Sequence, residues 1–599
     1  MISGSITKMY EALLHRGPDD YGIYESPDKK FYLAHTRLSI IDLSPNAHQP
    51  MSDKEAQVWL SYNGQIYNYR QLQSELKIRG YEFRSQSDTE VVLCGYKEWG
   101  IEGLLKRLRG MFAFVIYDLR HQDASGAPKI FLARDRFGIK PLYYYYDNQV
   151  LIFSSEVDSI IKSKFIAIEN NPEAEIAFLI FGHLPSPLTT IKNVFSLPAA
   201  SYISIENGNK RLVKYYDLLE SFSVRKIKDS GQIQNRLLSV LSEVVELHLV
   251  SDVPLGVFLS GGIDSSALVA LASKVSPAIS TLSIIFNEQE YSELPFQRLI
   301  SQQYRTRHIE IRVTENDFFK EIENIFNAID QPTIDGVNTY FISQAAKQAG
   351  LKVMLSGTGG DEIFCGYESF KQIRLLRVIQ HAPKFLKNAI RFAGLFNYKW
   401  KKSTYLLNNE DLYFYLIFRG LFIPEDVAIM LGISREKVED VLRKVMLSIP
   451  RRQLSKLDPI DWLSFMEINY YLQNQLLKDT DFMSMYHAVE TRVPFLDHIL
   501  VDYVASIEPR LKFSKKFPKP ILVKSLNNML PKEIVSRKKH GFIFPFDLWF
   551  KKRGSDFFHS AISKVNLNPK YAHAIWRQFQ DGKLHWSRIW ALVVMASKR

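Results

Sequence analysis

Cysteine is nearly absent: Cys94 and Cys365 are the two in 599 residues. A disulfide-held scaffold is excluded, and a reducing compartment is expected. Long hydrophobic runs are missing as well. The longest charge-poor stretch, IAFLIFGHLPSPLTTI at 176–191, contains two prolines and is too short to cross a bilayer. No secretory leader is visible, so a soluble cytoplasmic protein without a membrane partner is expected. Blocks of like charge are also lacking. The formal net charge of +12 is diluted along the chain, and a nucleic-acid partner is not expected. The local clusters RRQ (451–453) and KFSKKFPK (512–519) read as solvated loops. There is no internal repeat and no low-complexity tract.

What is present is ordinary globular composition, 46% hydrophobic and 23% charged, in a chain long enough for two or more cores. Residues 6–14 predict a helix, with Ile6, Met9, Tyr10, Leu13 and Leu14 on one face. The turn HRGPDD ends it. A strand-rich region follows, interrupted by predicted helices at 69–79 and 89–99. Strands and helices grouped apart suggest a layered α+β domain over 1–205. The pattern changes around 205–225. From 253, strands alternate with helices (VPLGVFL, AISTLSIIF, HIEIRV, KVMLSG), which predicts a parallel sheet. From about 365 the chain reads as mainly helical, so the second domain is placed at 225–599.

The strongest local signal is LSGGIDSS at 259–266. A strand, a Gly-rich turn and a helix N-terminus gather backbone N–H groups at one point, which suits an anion. Ser260, Ser265 and Ser266 add hydroxyls, and Gly261 and Gly262 allow close backbone approach. Asp264 would repel phosphate unless it holds a cation such as Mg²⁺. No Lys follows the glycines, so this is not a GxxxxGK[ST] loop. A second motif, LSGTGGDEIFCGY at 355–367, also follows a predicted strand and supplies Asp361 and Glu362. Two Asp at the carboxyl ends of parallel strands can share one Mg²⁺ on a triphosphate.

The first loop resembles the SGGxDSS pyrophosphate loop of the ATP pyrophosphatases. Together with the second motif, LLKDTDFMSMYHAVETRVPFLD (476–497), RKKHGFIFP (537–545) and DQPTIDGVNTYF (330–341), it resembles the asparagine synthetase family. HRGPDD, HTRLSIIDL, NGQIYNY, SDTE, RLRGMFAF and ARDRFGIKPLYY resemble that family's class II glutamine amidotransferase domain. The resemblance implies an Ntn-type α-β-β-α sandwich in the first half. It implies a PP-loop, Rossmann-like α/β domain with a helical extension in the second. It implies ATP and Mg²⁺, with aspartate and glutamine or ammonia as substrates, and allows a homodimer. Leu259, Ser260, Gly261, Gly262, Asp264, Ser265, Ser266, Ser356 and Gly357 would bind ATP and pyrophosphate. Asp264 and Asp361 would hold the metal, and Lys539 would meet the developing charge at the α-phosphate. Arg37 would pair with the glutamine carboxylate, Asn63 and the Gly64 N–H would form an oxyanion hole, and Asp88 would hold the amino group. Lys478 and Arg492 are weaker candidates, equally open to structural ion pairing. The segment 330–341 would help build the acceptor site.

The sequence departs from the family in four places. Thr358 stands where many members carry an acidic residue, and Thr cannot be a base; Glu362 or solvent would take the proton, or the product differs. Cys365 replaces Gly and reads as a packed residue, as does Cys94 in its helix. Gln65 replaces a common Glu. No Cys precedes residue 94, whereas a class II glutaminase uses an N-terminal Cys. Either a leading strand is missing from this chain, or it is an ammonia-dependent or divergent synthetase, as β-lactam synthetases are. The expected activity is aspartate amidation with an inactive glutaminase. The alternatives are amide formation, intermolecular or intramolecular, on another carboxylate in polysaccharide or secondary-metabolite assembly, and a non-catalytic nucleotide binder.

Overall fold

The strand β5 (Gly110–Asp118) is buried at all but its first position, as a strand covered on both faces must be. The computed structural model describes residues 2–120, 128–206, 208–380, 382–383, 401–408, 410–447, 449–537, 543–565 and 567–598. With β3 (Met51–Ser52), β4 (Val58–Ile66), β6 (Lys129–Arg134), β10 (Ser201–Glu206) and β11 (Asn209–Lys214), β5 forms an antiparallel sheet of order β11-β10-β6-β5-β4-β3. The helices Tyr69–Ile78 and Asp88–Arg107 cover one face through Leu72, Leu76, Val91 and Leu104 against Phe112, Phe114 and Ile116. Ala113, Val115 and Leu132 point the other way, toward Leu33, Leu142 and Tyr144 of a second β layer. Outside that layer lie the helices Ile2–Glu11 and Val157–Ser163, where Met9, Val157 and Ile160 meet Tyr143 and Ile152. The order of layers is helix, sheet, sheet, helix.

The first helix starts earlier than the apolar spacing predicts and stops at Glu11. Docking of its Ile6 and Met9 face on Val157–Ser163 outweighs the weak helix preference of Ser3 and Gly4.

The second β layer is in two pieces. β1 (Asp20–Glu25) pairs with β2 (Tyr32–Arg37), and β7 (Tyr143–Tyr146) pairs with β8 (Leu151–Ser154) and β9 (Val194–Ser196). Among the described residues, β2 has no strand partner but β1, and β8 none but β7. Their other edges border a common cavity of about 470 Å³.

In the second half, β12 (Leu255–Phe258), β13 (Ser280–Ile285), β14 (Arg307–Arg312), β15 (Val353–Leu355) and β16 (Glu490–Arg492) form a parallel sheet of order β14-β13-β12-β15-β16. The chain winds outward from β12 in both directions. The strand order therefore reverses between β12 and β15, and a crevice opens at their carboxyl ends, where ligands bind in open α/β sheets. The two glycine-rich motifs are the loops at that crevice. Helices from Ser369 onward pack around this sheet. Among the described residues, no helix is long and apolar enough to cross a membrane.

Candidate functional site

Gly262 caps the helix Ile263–Val275 without a side-chain hydrogen bond. Its N-terminus thus faces a cavity of about 300 Å³ that includes Ser260, Asp264, Ser265, Ser356, Gly357, Thr358 and Asp361 in its wall. An open helix N-terminus with adjacent hydroxyls is an anion site. Within the loop, Ser260 Oγ lies 3.1 Å from Ser265 Oγ, and the Ser260 N–H donates to Ser265 Oγ at 3.2 Å. Leu259 and Gly262 also line this cavity. Gly261 holds φ +72° one step back, and its carbonyl accepts from Arg537 Nη1 at 2.9 Å. Ser266, fully buried, stands behind the loop and does not line the cavity, which corrects the sequence expectation for that hydroxyl: the helical turn carries it to the core side.

Asp264 and Asp361 converge as their positions on neighbouring loops require, and a lysine joins them. Lys519 Nζ contacts Asp361 Oδ1 at 2.6 Å and also pairs with Asp264 Oδ2. Lys519 is 3% exposed. Burial alone would depress its ammonium; the two carboxylates override this and hold it raised. Glycines make the cluster sterically feasible. A Cβ on Gly360 would lie 2.5 Å from Asp264 Oδ1, and one on Gly366 would overlap Asp361 and Lys519. Two hard carboxylate donors gathered around one cationic atom also fit a divalent ion of the Mg²⁺ type.

Lys519 was missed in the sequence because KFSKKFPK reads as a solvated lysine cluster. Its ends are not solvated. Lys512, 1% exposed, pairs with Asp461 at 2.5 Å, and Lys519 enters the crevice. The one signal was Pro518, which fixes the chain just before the buried lysine. Lys539 lies outside the described residues, whereas Arg537 lines the cavity and pairs with Glu293.

The other residues of interest are placed elsewhere. Thr358 Oγ1 sits 2.9 Å from Ser356 Oγ, within the cavity wall. Glu362 is turned inward and accepts from the Tyr367 hydroxyl at 2.6 Å. Burial, then the neighbouring Asp361, pushes its carboxyl up to about 7. Lys478 donates to the Leu184 carbonyl at 2.9 Å. Arg492, fully buried, binds Glu490, the carbonyls of His248 and Val250, and Gln65 Oε1 at 3.1 Å. Both hold the halves together and neither lines the nucleotide cavity. Cys365 is buried in a left-handed turn (φ +57°), and burial pushes its thiol up to about 12. Cys94 sits in a helix core with its thiol likewise raised by burial.

In the first half, Arg37, Asn63, Gly64 and Asp88 all line the larger cavity. Arg37 Nη2 donates to the carbonyls of Ile41 (3.1 Å) and Asp42 (2.5 Å), which leaves its other N–H groups for a ligand. Gly64 is held so close to the Met111 carbonyl that a Cβ would overlap it. Ser87 caps the helix Asp88–Arg107. Asp88 Oδ2 accepts from the Tyr62 hydroxyl (2.7 Å) and the Ile66 N–H (2.9 Å). Burial raises the Asp88 carboxyl to about 6 despite these bonds. A buried carboxylate with no cation paired to it is a site for an ammonium group. No thiol lines this cavity among the described residues.

The asparagine synthase family matches residues 236–598, and the glutamine amidotransferase domain family matches 3–216. The glutamine-hydrolysing asparagine synthetase 1 of Bacillus subtilis is 30% identical over 95% of this chain and 88% of its own. Asparagine synthetase 3 of the same organism is 28% identical over 89% and 83%. Amidase chry2 of Gibberella zeae is 26% identical over 90% and 84%. The chain, with its amidotransferase domain and its parallel-sheet domain, belongs to the asparagine synthase family.

Proposed function

We propose that this chain is an amide-forming ligase that adenylates the side-chain carboxylate of aspartate with ATP and passes the acyl group to ammonia. The observation that carries this reading is the convergence of the open helix N-terminus, Asp264, Asp361 and Lys519 at one strand-order reversal. An aspartate carboxylate oxygen attacks the α-phosphorus, the bond to the α–β bridging oxygen breaks, and pyrophosphate leaves. Ammonia then attacks the acyl carbon, and AMP leaves with the former carboxylate oxygen. The loop N–H groups and Ser260 and Ser265 hold the leaving phosphates, and Lys519 donates to their oxygens. Asp264 and Asp361 would hold Mg²⁺, which supplies charge neutralisation on the leaving group. Holding carboxylate and nucleotide in one crevice removes much of the entropic barrier. Glu362 faces Tyr367, so the proton released by ammonia passes to solvent.

The 599 residues contain no thiol that can reach the glutamine pocket. The chain is therefore expected to use free ammonia and not glutamine. Pyrophosphate release should require aspartate and ammonium and vanish in Asp264→Asn. Glutamine-supported turnover would refute the second point.

A second reading is favoured by Thr358. With no third carboxylate in the nucleotide cavity wall, the acceptor is another carboxylic acid and the nucleophile needs no protein base. Pyrophosphate release across a panel of carboxylic acids decides between the two, and strict aspartate dependence removes the second.

A further inference from the structure

A second cavity, of about 440 Å³, lies beside the nucleotide cavity, and Asn338 is in the wall of both. Asn338 is the second residue of the helix Val337–Gln348, whose cap Gly336 offers no side-chain hydrogen bond. Only the second part of the 330–341 segment reaches this space, through Ile334, Asp335, Val337 and Asn338. Asp330 and Gln331 instead accept from the backbone of Asp158 and Thr190 in the amidotransferase half.

Three cations line the second cavity: Lys402, Arg419 and Arg588. Arg419 is balanced by buried Glu467 at 2.8 Å and lies over the Tyr471 ring. Lys402 has no such balance: no described residue forms an ion pair or hydrogen bond with its ammonium. Burial, then Arg588 and Arg419, depresses Lys402 to about 7. The one carboxylate in the wall, Asp335, accepts from the Gly336 N–H and is itself raised by burial. A partly buried lysine that no described residue pairs, grouped with two arginines in one cavity wall beside the crevice, favours an anion there. Aromatic side chains, Trp586 and Phe418 among them, complete the wall.

We propose that this cavity binds the second anionic group of the acceptor, with Lys402 as its principal counter-charge, while the acceptor's reacting carboxylate extends past Asn338 to the nucleotide. The proposal rests on the ligase reading above and narrows it. The acceptor is a dianionic carboxylic acid, and the space admits bodies larger than a four-carbon amino acid.

Trp586 provides the test, because it reports from the cavity wall without turnover. Aspartate, glutamate, malate and N-acetylaspartate are titrated into the full chain by fluorescence, with and without the α,β-methylene analogue of ATP. Each is compared with the amide that lacks its second charge. At least one dianion should change the signal, and its amide should bind at least tenfold more weakly. Lys402→Met should weaken the dianion at least tenfold, Lys402→Arg should restore it to within about threefold, and affinity for the ATP analogue should not change. Lys402→Met should not lower the melting temperature, because it removes a partly buried charge that no described residue pairs. The response should disappear in Trp586→Phe. Binding that ignores Lys402→Met, or no binding by any dianion, overturns the proposal. Lys402-dependent binding without pyrophosphate release from any acceptor overturns the ligase reading and leaves an anion site.

Discussion

The two halves carry pockets built on opposite plans. In the larger cavity of the first half, Arg37 and Asp88 are held by backbone groups of their own domain, and among the described residues Asp88 forms no ion pair. In the nucleotide crevice, Asp264 and Asp361 are already bridged by Lys519. Among the described residues no thiol lines the first pocket; the second holds two carboxylates on one buried lysine. A carboxylate held by N–H groups is ready for a cationic ligand. One held by a lysine takes another cation only by giving up or sharing that partner.

Four changes would break or sharpen this contrast. The largest effect is expected for Asp264→Asn or Asp361→Asn: pyrophosphate release should fall by about a thousandfold, while any thermal shift produced by glutamine stays unchanged. Next is Lys519→Met. It removes the buried cation that bridges the two carboxylates, so activity should fall about a hundredfold and stability by about 3 kcal/mol. Chemical denaturation at pH 7 should record the loss.

The third test concerns pH in the other pocket. The folded state raises Asp88 to about 6, so the protonated form is favoured on folding. Its contribution is therefore a penalty, absent below about pH 4, that grows as pH rises and is complete above about 6; two units correspond to about 3 kcal/mol. Asp88→Asn should raise the melting temperature at pH 7, leave it unchanged at pH 3.5, and abolish any glutamine-induced shift. The smallest effect is expected for Gln65→Glu. Gln65 and Arg492 are buried and Arg492 already pairs with Glu490 at 2.9 Å, so the added carboxylate sets the Arg492 charge against its own burial and should cost no more than about 2 kcal/mol.

Sequence pattern located what is local. The strands and the two loops at the carboxyl ends of β12 and β15 were legible, because a strand, a glycine-rich turn and a helix start are written in consecutive residues. Asp264 and Asp361 followed from that. Lys519 did not, since its partners lie far away in the chain and a lysine cluster carries no mark of burial. Lys402 was invisible for the same reason: its meaning comes from Arg588 and Arg419, which folding brings near. Ser266 shows the converse, a motif residue that the helical turn directs into the core. Glu362 was named as a base, but its orientation toward Tyr367 depends on packing that no spacing reveals.

HRGPDD was read as the turn that ends the first helix, but the helix has already stopped at Glu11 and HRGPDD follows it in the connection to β1. Its Arg16 also reaches across the molecule, binding Glu156 at 2.9 Å and Asp481 at 2.6 Å, with Lys140 adding to Asp481 at 3.3 Å. Arg109 with Asp497 repeats the arrangement. The two halves therefore share cooperativity as well as a chain. Calorimetry should record one transition, and a protease cut in the 217–229 connection should leave the fragments associated. A lesion at Arg16 would be felt as lost synthesis in the half that does not contain it.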